Sequence, residues 1–553
     1  MSQPSLVIRN ARIVDGTGAP AYAGEVAVSG DRIVAVGKAT EAGEIEIDAK
    51  GQVLAPGFID IHTHYDPQLC WDKLAMPTPE HGVTSLIMGN CSISLAPVKP
   101  ADTKRVMNLF GSVEDMAGDL LEATVPFAWE TFPQYIDFLK KDLGPNVGVF
   151  VGHSMLRLYV MGAASQERHA TDAEIEKMRE LLREAIRAGA FGLSFTFGHL
   201  DELGRQLPCH FSDRRERLAL LSVLKEEGRG VVEISPKQVA VQEGVAGIDE
   251  WGSIALESGV VCSVSPILQM KDTPERWRTL LTRVDNWRAR GAPLFAQTQV
   301  RPLEFTLSIA VGSTVLSKLP TFRRIFNLPV ADRIRDLNKP EIRGAIETEA
   351  PPFLKIVGEA VVKEVKSARN KPFLGRKVKA IAKKEGKTIM ATLIDISLAD
   401  ELETVFSIDD VIHADVGIVS VMLSHPAIHI GSGDAGAHIT QFAGAGDTSY
   451  LFEKFVRGEG LMTMERAVQR LTYDLARDWS ITDRGHIAVG KFADLVIFDP
   501  DTIARGKEEW VSDVPGGYGR YTRHPKGIDK VIVNGEVLVD KGRYTNSRNG
   551  RIL

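Results

Sequence analysis

"GFIDIHTHYD", residues 57–66, runs from an apolar strand pattern straight into two histidines, His62 and His64. Alternate residues of a strand share a face, so both imidazoles project into the same space. Paired neutral imidazoles are common donors to a transition-metal ion, although backbone or carboxylate partners would also satisfy them. The choice between these readings depends on what else arrives at the same place.

Seven more short apolar runs follow, separated by helical patterns: "TSLIMGNC" (84–91), "NVGVFVGH" (146–153), "GAFGLSFT" (189–196), "GRGVVEIS" (228–235), "VVCSVSPIL" (260–268), "APLFAQTQV" (292–300) and "AIHIGSGD" (427–434). Eight such strands alternating with helices make an α/β chain and are the number that closes a TIM (β/α)8 barrel. Between the third and fourth, residues 171–190 read as a helix. Thr171 and Glu174 form a capping box, and Met178, Leu181, Leu182, Ala185 and Ile186 form its apolar stripe. Barrel enzymes keep their chemistry at the C-terminal ends of the strands. Here four runs end in His64, Cys91, His153 and Asp434. That concentration favours metal binding for the opening pair.

The flanks read differently. Residues 5–37, 490–500 and 528–544 alternate apolar and polar residues between glycine-rich turns. We therefore expect a small β-sandwich built from both chain ends (1–56 and 485–553) around a barrel at 57–484. A mostly helical insertion is expected at about 302–398. Within it, Lys355 to Lys387 is rich in lysine and arginine; this is either a solvated face or a basic lid beside the active-site mouth.

Composition narrows the classes. A hydrophobic fraction of 44%, a charged fraction of 25% and a net charge of −6 are those of an ordinary globular protein, with no global argument for nucleic acid. No apolar run is long enough to span a membrane, and the start lacks the pattern of a secretory signal. The four cysteines, Cys70, Cys91, Cys209 and Cys262, show no framework spacing. These features lead us to expect a cytoplasmic enzyme with reduced thiols, with homo-oligomers left open.

The stretches "VLAPGFIDIHTHYD", "GVTSLIMGNCSISLAPV", "VGHSMLRLYVMG", "GSGDAGAH" and "DRGHIAVGKFADLVIFDP" resemble the amidohydrolase superfamily and, within it, the N-acyl-D-amino-acid deacylase (D-aminoacylase) family. The resemblance covers nearly the whole chain, and "GNC" in place of a barrel lysine is specific to the deacylase branch. It implies zinc-dependent hydrolysis of a carbon–nitrogen bond other than a main-chain peptide bond. It also implies that His62, His64, Cys91 and Asp434 are metal ligands, with Asp434 moving protons. His153 and His438 are catalytic candidates beside them; His199, Arg157 and Arg301 are candidates for holding the substrate.

The chain departs from the family pattern at two strand ends. Deacylases carry histidines at the ends of the fifth and sixth strands, whereas here those ends offer Glu233 and Ser235, then Ser263, Ser265 and Gln269. With two nitrogen donors missing, one Zn²⁺ is expected rather than two, and an N/O-dominated site would also take Mn²⁺ or Fe²⁺. The expected substrate is a small N-acyl amide. The alternatives are hydrolysis of a cyclic amide, carbamate or lactone, and a barrel without catalysis acting as a binding protein.

Overall fold

The computed structural model describes residues 3–553 except residues 117, 238, 239, 314 and 410. Its centre is a parallel eight-stranded sheet: β1 Phe58–Asp60, β2 Val83–Met88, β3 Asn146–Gly152, β4 Gly192–Thr196, β5 Val231–Ser235, β6 Cys262–Val264, β7 Leu294–Thr298 and β8 Ile428–Ile430. Each strand pairs with its neighbours in chain order, and all eight coincide with the runs read from sequence. Between β8 and β1 the closing contact is a parallel bridge of Thr63 with Ala435, in which the His64 N–H donates to the Ala435 carbonyl at 2.8 Å. The last seam of the barrel thus runs through a residue of the opening motif.

Helices cover the strands' outer faces, as a parallel sheet requires. The helix Asp172–Ala188 shows how sequence sets them. Thr171 and Glu174 form both bonds of the capping box, Met178, Leu182, Ala185 and Ile186 are buried, and Gly189 stops the helix at φ 113°.

Both chain ends join one branched, nine-stranded sheet. Its seam is the antiparallel pairing of Val53–Pro56 with Leu495–Phe498. Ile8, Ile13, Val26, Leu54, Leu495 and Ile532 share its core.

The segment between β7 and β8 folds around a core of its own, which includes Phe322, Ile325, Val362, Leu393 and Phe406. Besides helices it contains a three-stranded antiparallel sheet, Phe305–Leu307, Val361–Glu364 and Val405–Ile408, which helical periodicity did not foresee. Its lysines pair outward: Lys355 with Asp272, Lys377 and Lys379 with Glu359, and Lys387 with Asp395. None of residues 355–387 lines the cavity described below, which fits the solvated face.

Candidate metal centre

β1 delivers His62 and His64 on one side, and the turn after β2 delivers Cys91. The donor atoms of these three lie within 4.8 Å of one another. Cys91 Sγ is 3.8 Å from His62 Nε2, and Asp434 Oδ1 is 3.3 Å from His62 Nε2 and 3.7 Å from His64 Nε2. The edges of a tetrahedron with zinc–nitrogen and zinc–sulfur bond lengths are about 3.3–3.6 Å. Two imidazoles and a thiol in one cluster, with a carboxylate approaching both imidazoles, are the donor chemistry of a Zn²⁺ ion.

The opposite ring nitrogens are braced. Gln297 Oε1 accepts from His62 Nδ1 at 3.0 Å, the Gln297 amide donates to Ser263 Oγ at 3.1 Å, and Ser265 Oγ lies 3.2 Å from the same Nδ1. Glu114 Oε1 is 3.3 Å from His64 Nδ1. The proton held at His62 Nδ1 by Gln297 leaves its Nε2 lone pair free for a cation, whereas Glu114 lies against His64 without a hydrogen bond. Burial pushes His62 down to about 4, so it is neutral at pH 7. Burial also works against charge on His64, but Glu114 and Asp434 outweigh it and lift the residue to about 9. Asp434 is held well below the usual carboxylate range, where bonding from His64 and the nearby imidazoles overcome burial. Burial and neighbouring carboxylates drive the Cys91 thiol far upward, and only a bound cation would make it a thiolate.

Turn geometry aims these groups. Cys91 and Asp434 have φ of 54° and 55°, a left-handed conformation that costs energy for a residue with a Cβ. In the "GNC" turn, Gly89 has φ 79° and a Cβ there would meet the Phe150 carbonyl oxygen at 2.5 Å. Asn90 donates to the Thr63 and Ile87 carbonyls, and Asp66 accepts the Gly89 N–H at 3.0 Å. In the "GDAGAH" turn, Gly436 has φ 93° and leaves no room for a Cβ, which would lie 2.8 Å from the His64 carbonyl.

The ends of β5 and β6, where histidines are absent, flank His62. Glu233 is fully buried; its Oε2 accepts the Cys91 N–H at 3.0 Å and its Oε1 lies 4.0 Å from His62 Nδ1. Burial lifts Glu233 to about 8, which keeps it protonated at pH 7.

A cavity of about 540 Å³ is lined by His199, Asp115 and insertion residues that include Val311, Lys318 and Arg333, and it approaches the cluster through Asp115, the partner of His438. His199 Nδ1 is bonded to Thr196 Oγ1 at the end of β4. His438 Nδ1 donates to Asp115 Oδ2 at 2.8 Å; burial opposes its charge, but that bond and nearby carboxylates raise its pKa.

Three expected site residues have other settings. His153 bonds Glu216 at 2.8 Å and packs on Phe195, in a fully buried network with Arg157. Arg157 gives its guanidinium to Glu216 and to the Ser165 and Arg168 carbonyls, so no charge is left for a substrate. Arg301 pairs with Asp447 and donates to the Gly433 carbonyl, which steadies the turn bearing Asp434. Sequence reasoning also missed Glu114, Asp115 and Gln297. Glu114 and Asp115 lie in the short connection between the helices Thr103–Val113 and Gly118–Thr124, away from any strand end. Gln297 lies in β7 itself, where its neutral amide gave no signal.

Comparison with known proteins agrees with this geometry. The Amidohydrolase family model matches residues 46–539. D-aminoacylase of Alcaligenes xylosoxydans xylosoxydans is 26% identical, with 100% of this chain and 98% of the relative covered. N-acyl-D-aspartate deacylase of the same organism is 27% identical over 100% of this chain and 95% of its own. Among solved structures, N-acyl-D-glutamate deacylase from Bordetella bronchiseptica, complexed with zinc and a phosphonate inhibitor, superposes with a TM-score of 0.68 at 25% identity and covers 100% of both chains. A D-aminoacylase crystal structure gives 0.69 at 24% identity over 99% of each chain. With a family model spanning most of its length and a donor cluster at the strand ends of a closed barrel, this chain belongs to the amidohydrolase family.

Proposed function

We propose that the protein hydrolyses the amide bond of an N-acyl amino acid, with D-configured substrates preferred, using one Zn²⁺ held by His62, His64, Cys91 and Asp434. Family membership makes it a hydrolase of carbon–nitrogen bonds other than peptide bonds. The carrying observation is the approach of Asp434 Oδ1 to both Nε2 atoms, beside a buried thiol. The deacylase relatives named above support the substrate class. Support for a single ion comes from the donors beside it: near His62 this chain offers the buried Glu233 carboxyl and the hydroxyl of Ser265 rather than further nitrogen ligands.

When bound, the ion would acidify a water and polarise the substrate carbonyl. The chain supplies the rest. Gln297 fixes the His62 imidazole by a hydrogen bond, and the Glu114 carboxylate lies 3.3 Å from that of His64. Asp434, ionised and partly accessible, takes the proton from the attacking water and passes it to the leaving nitrogen. His438, whose bond to Asp115 favours its charged form, offsets negative charge growing on the carbonyl oxygen. His199 lines the cavity and orients the acyl group. None of the four cysteines is bridged, which suits a reducing cytoplasm.

The test measures primary amine released from N-acetyl-D- and N-acetyl-L-amino acids, beside ring opening of a hydantoin and a lactone. Amine release that a chelator abolishes and zinc restores is the expected result. Activity only on the ring substrates would refute the acyl-amino-acid reading.

A further inference from the structure

We propose that Lys318 and Arg323 of the insertion form an anion-binding pair which grips a carboxylate on the substrate, remote from the scissile bond. The proposal deepens the hydrolase reading above and rests on it. Its starting point is a shortage of cations in the barrel: Arg157 and Arg301 are both committed to buried acids and carbonyls. The cavity lined by His199 and Asp115 receives its positive charge from the insertion instead, through Lys318, Arg323 and Arg333.

These three differ in how their donors are used. The Arg333 guanidinium is consumed by the carbonyls of Leu328, Ile309, Ala310 and Phe326. Arg323 gives Nε to the Ser317 carbonyl and rests Nη1 against Gly204, and the residue lines the cavity with no hydrogen bond from its Nη atoms to a protein acceptor among the described residues. Among the described residues, neither Arg323 nor Lys318 forms an ion pair with a carboxylate. Lys318 stays solvent-accessible, yet the surrounding walls lower its pKa; Asp115 pulls it back up and Arg323 pushes it further down. Lys318 and Arg323 are thus close enough to repel each other, and an anion between them would relieve that repulsion.

The acids lining the same cavity are engaged elsewhere. Asp115 accepts from His438, and Asp201 accepts from Arg205 and Gln166. Glu202 accepts from the Asn108 amide, and Asp119 from the Tyr518 hydroxyl. An arginine fork with a lysine beside it suits a carboxylate's two oxygens. Met107, Met116 and Phe326 line the cavity too and offer apolar contact. The fitting ligand is therefore a small amide carrying a carboxylate and an apolar group.

The experiment compares N-acetyl-D-methionine with its uncharged, near-isosteric carboxamide on the zinc-loaded enzyme and on Lys318→Met, Arg323→Gln and the double variant. Wild type should prefer the acid by about tenfold or more in kcat/KM. Each single variant should raise KM for the acid with little change for the carboxamide, and the double variant should erase the preference. Equal use of both compounds by wild type, or a preference surviving the double variant, would overturn the proposal. If wild type hydrolyses neither compound, the hydrolase reading has failed for this substrate class, and calorimetric titration of the same proteins decides the binding claim. Acid binding about tenfold tighter than carboxamide binding, lost in Lys318→Met, supports it; equal or undetectable binding refutes it. Thermal melts establish that the variants are folded.

Discussion

Cys91 and Asp434 share a left-handed backbone, and each lies in a turn whose glycine cannot accept a Cβ. Two separate turns hold strained residues so that their side chains meet, an arrangement kept where geometry matters more than local stability. Asp434 carries the proton in the proposed reaction. Asp434→Asn should lower kcat by about 10³-fold with the far-UV circular dichroism unchanged; turnover at the parental rate would exclude that role. Glu114 acts only through His64, so Glu114→Gln should weaken zinc retention about 10–100-fold, read by competition with a chromophoric chelator. Unchanged zinc affinity would reduce the 3.3 Å contact to a structural one. The ligand candidates were legible because i, i+2 spacing and strand ends point to one place. Glu114 was not, since the path of the connection it lies in is set by tertiary contacts such as the His438 N–H donating to its carbonyl.

At the level of elements, the barrel strands could be read because strands buried on both faces are mainly apolar; β2 and β3 are buried along their full length and carry only Thr84, Ser85 and Asn146 as polar residues. The insertion's strands, Phe305–Leu307, Val361–Glu364 and Val405–Ile408, have three to four residues each and are too short for a period to register. Asp400 stabilises this unit. It accepts from the Lys366 and Ser367 N–H groups at 3.0 and 2.8 Å and from Thr404 Oγ1 at 2.7 Å. Burial alone would raise its pKa, but those bonds outweigh it and hold the group at about 2. A depressed folded value means the contribution is complete above the ordinary aspartate range and is lost as pH falls through about 2. Asp400→Asn should therefore cost roughly 1–2 kcal/mol near neutral pH, with the gap to wild type closing towards pH 2. Urea midpoints measured across that range check it, and a gap independent of pH contradicts it.

For the whole molecule, the flanking sheet was visible in outline from alternation at both ends, but its seam was not. Nothing in either segment alone states that Val53–Pro56 lies against Leu495–Phe498, because long-range register is a tertiary property. The missing histidines of β5 and β6 were legible as absences. Their consequence depends on Glu233 and Ser265 facing His62, which only the assembled barrel reveals. Among the described residues no helix is long and apolar enough to cross a membrane. Barrel closure through His64 and Ala435 ties the donor cluster to the integrity of the fold. The most direct measurement is anomalous scattering at the zinc edge from crystals grown with excess zinc, with elemental analysis of the same protein. One peak per chain, bonded to His62, His64, Cys91 and Asp434, is the expected result. No peak among those four side chains, with metal absent or bound elsewhere, would contradict it.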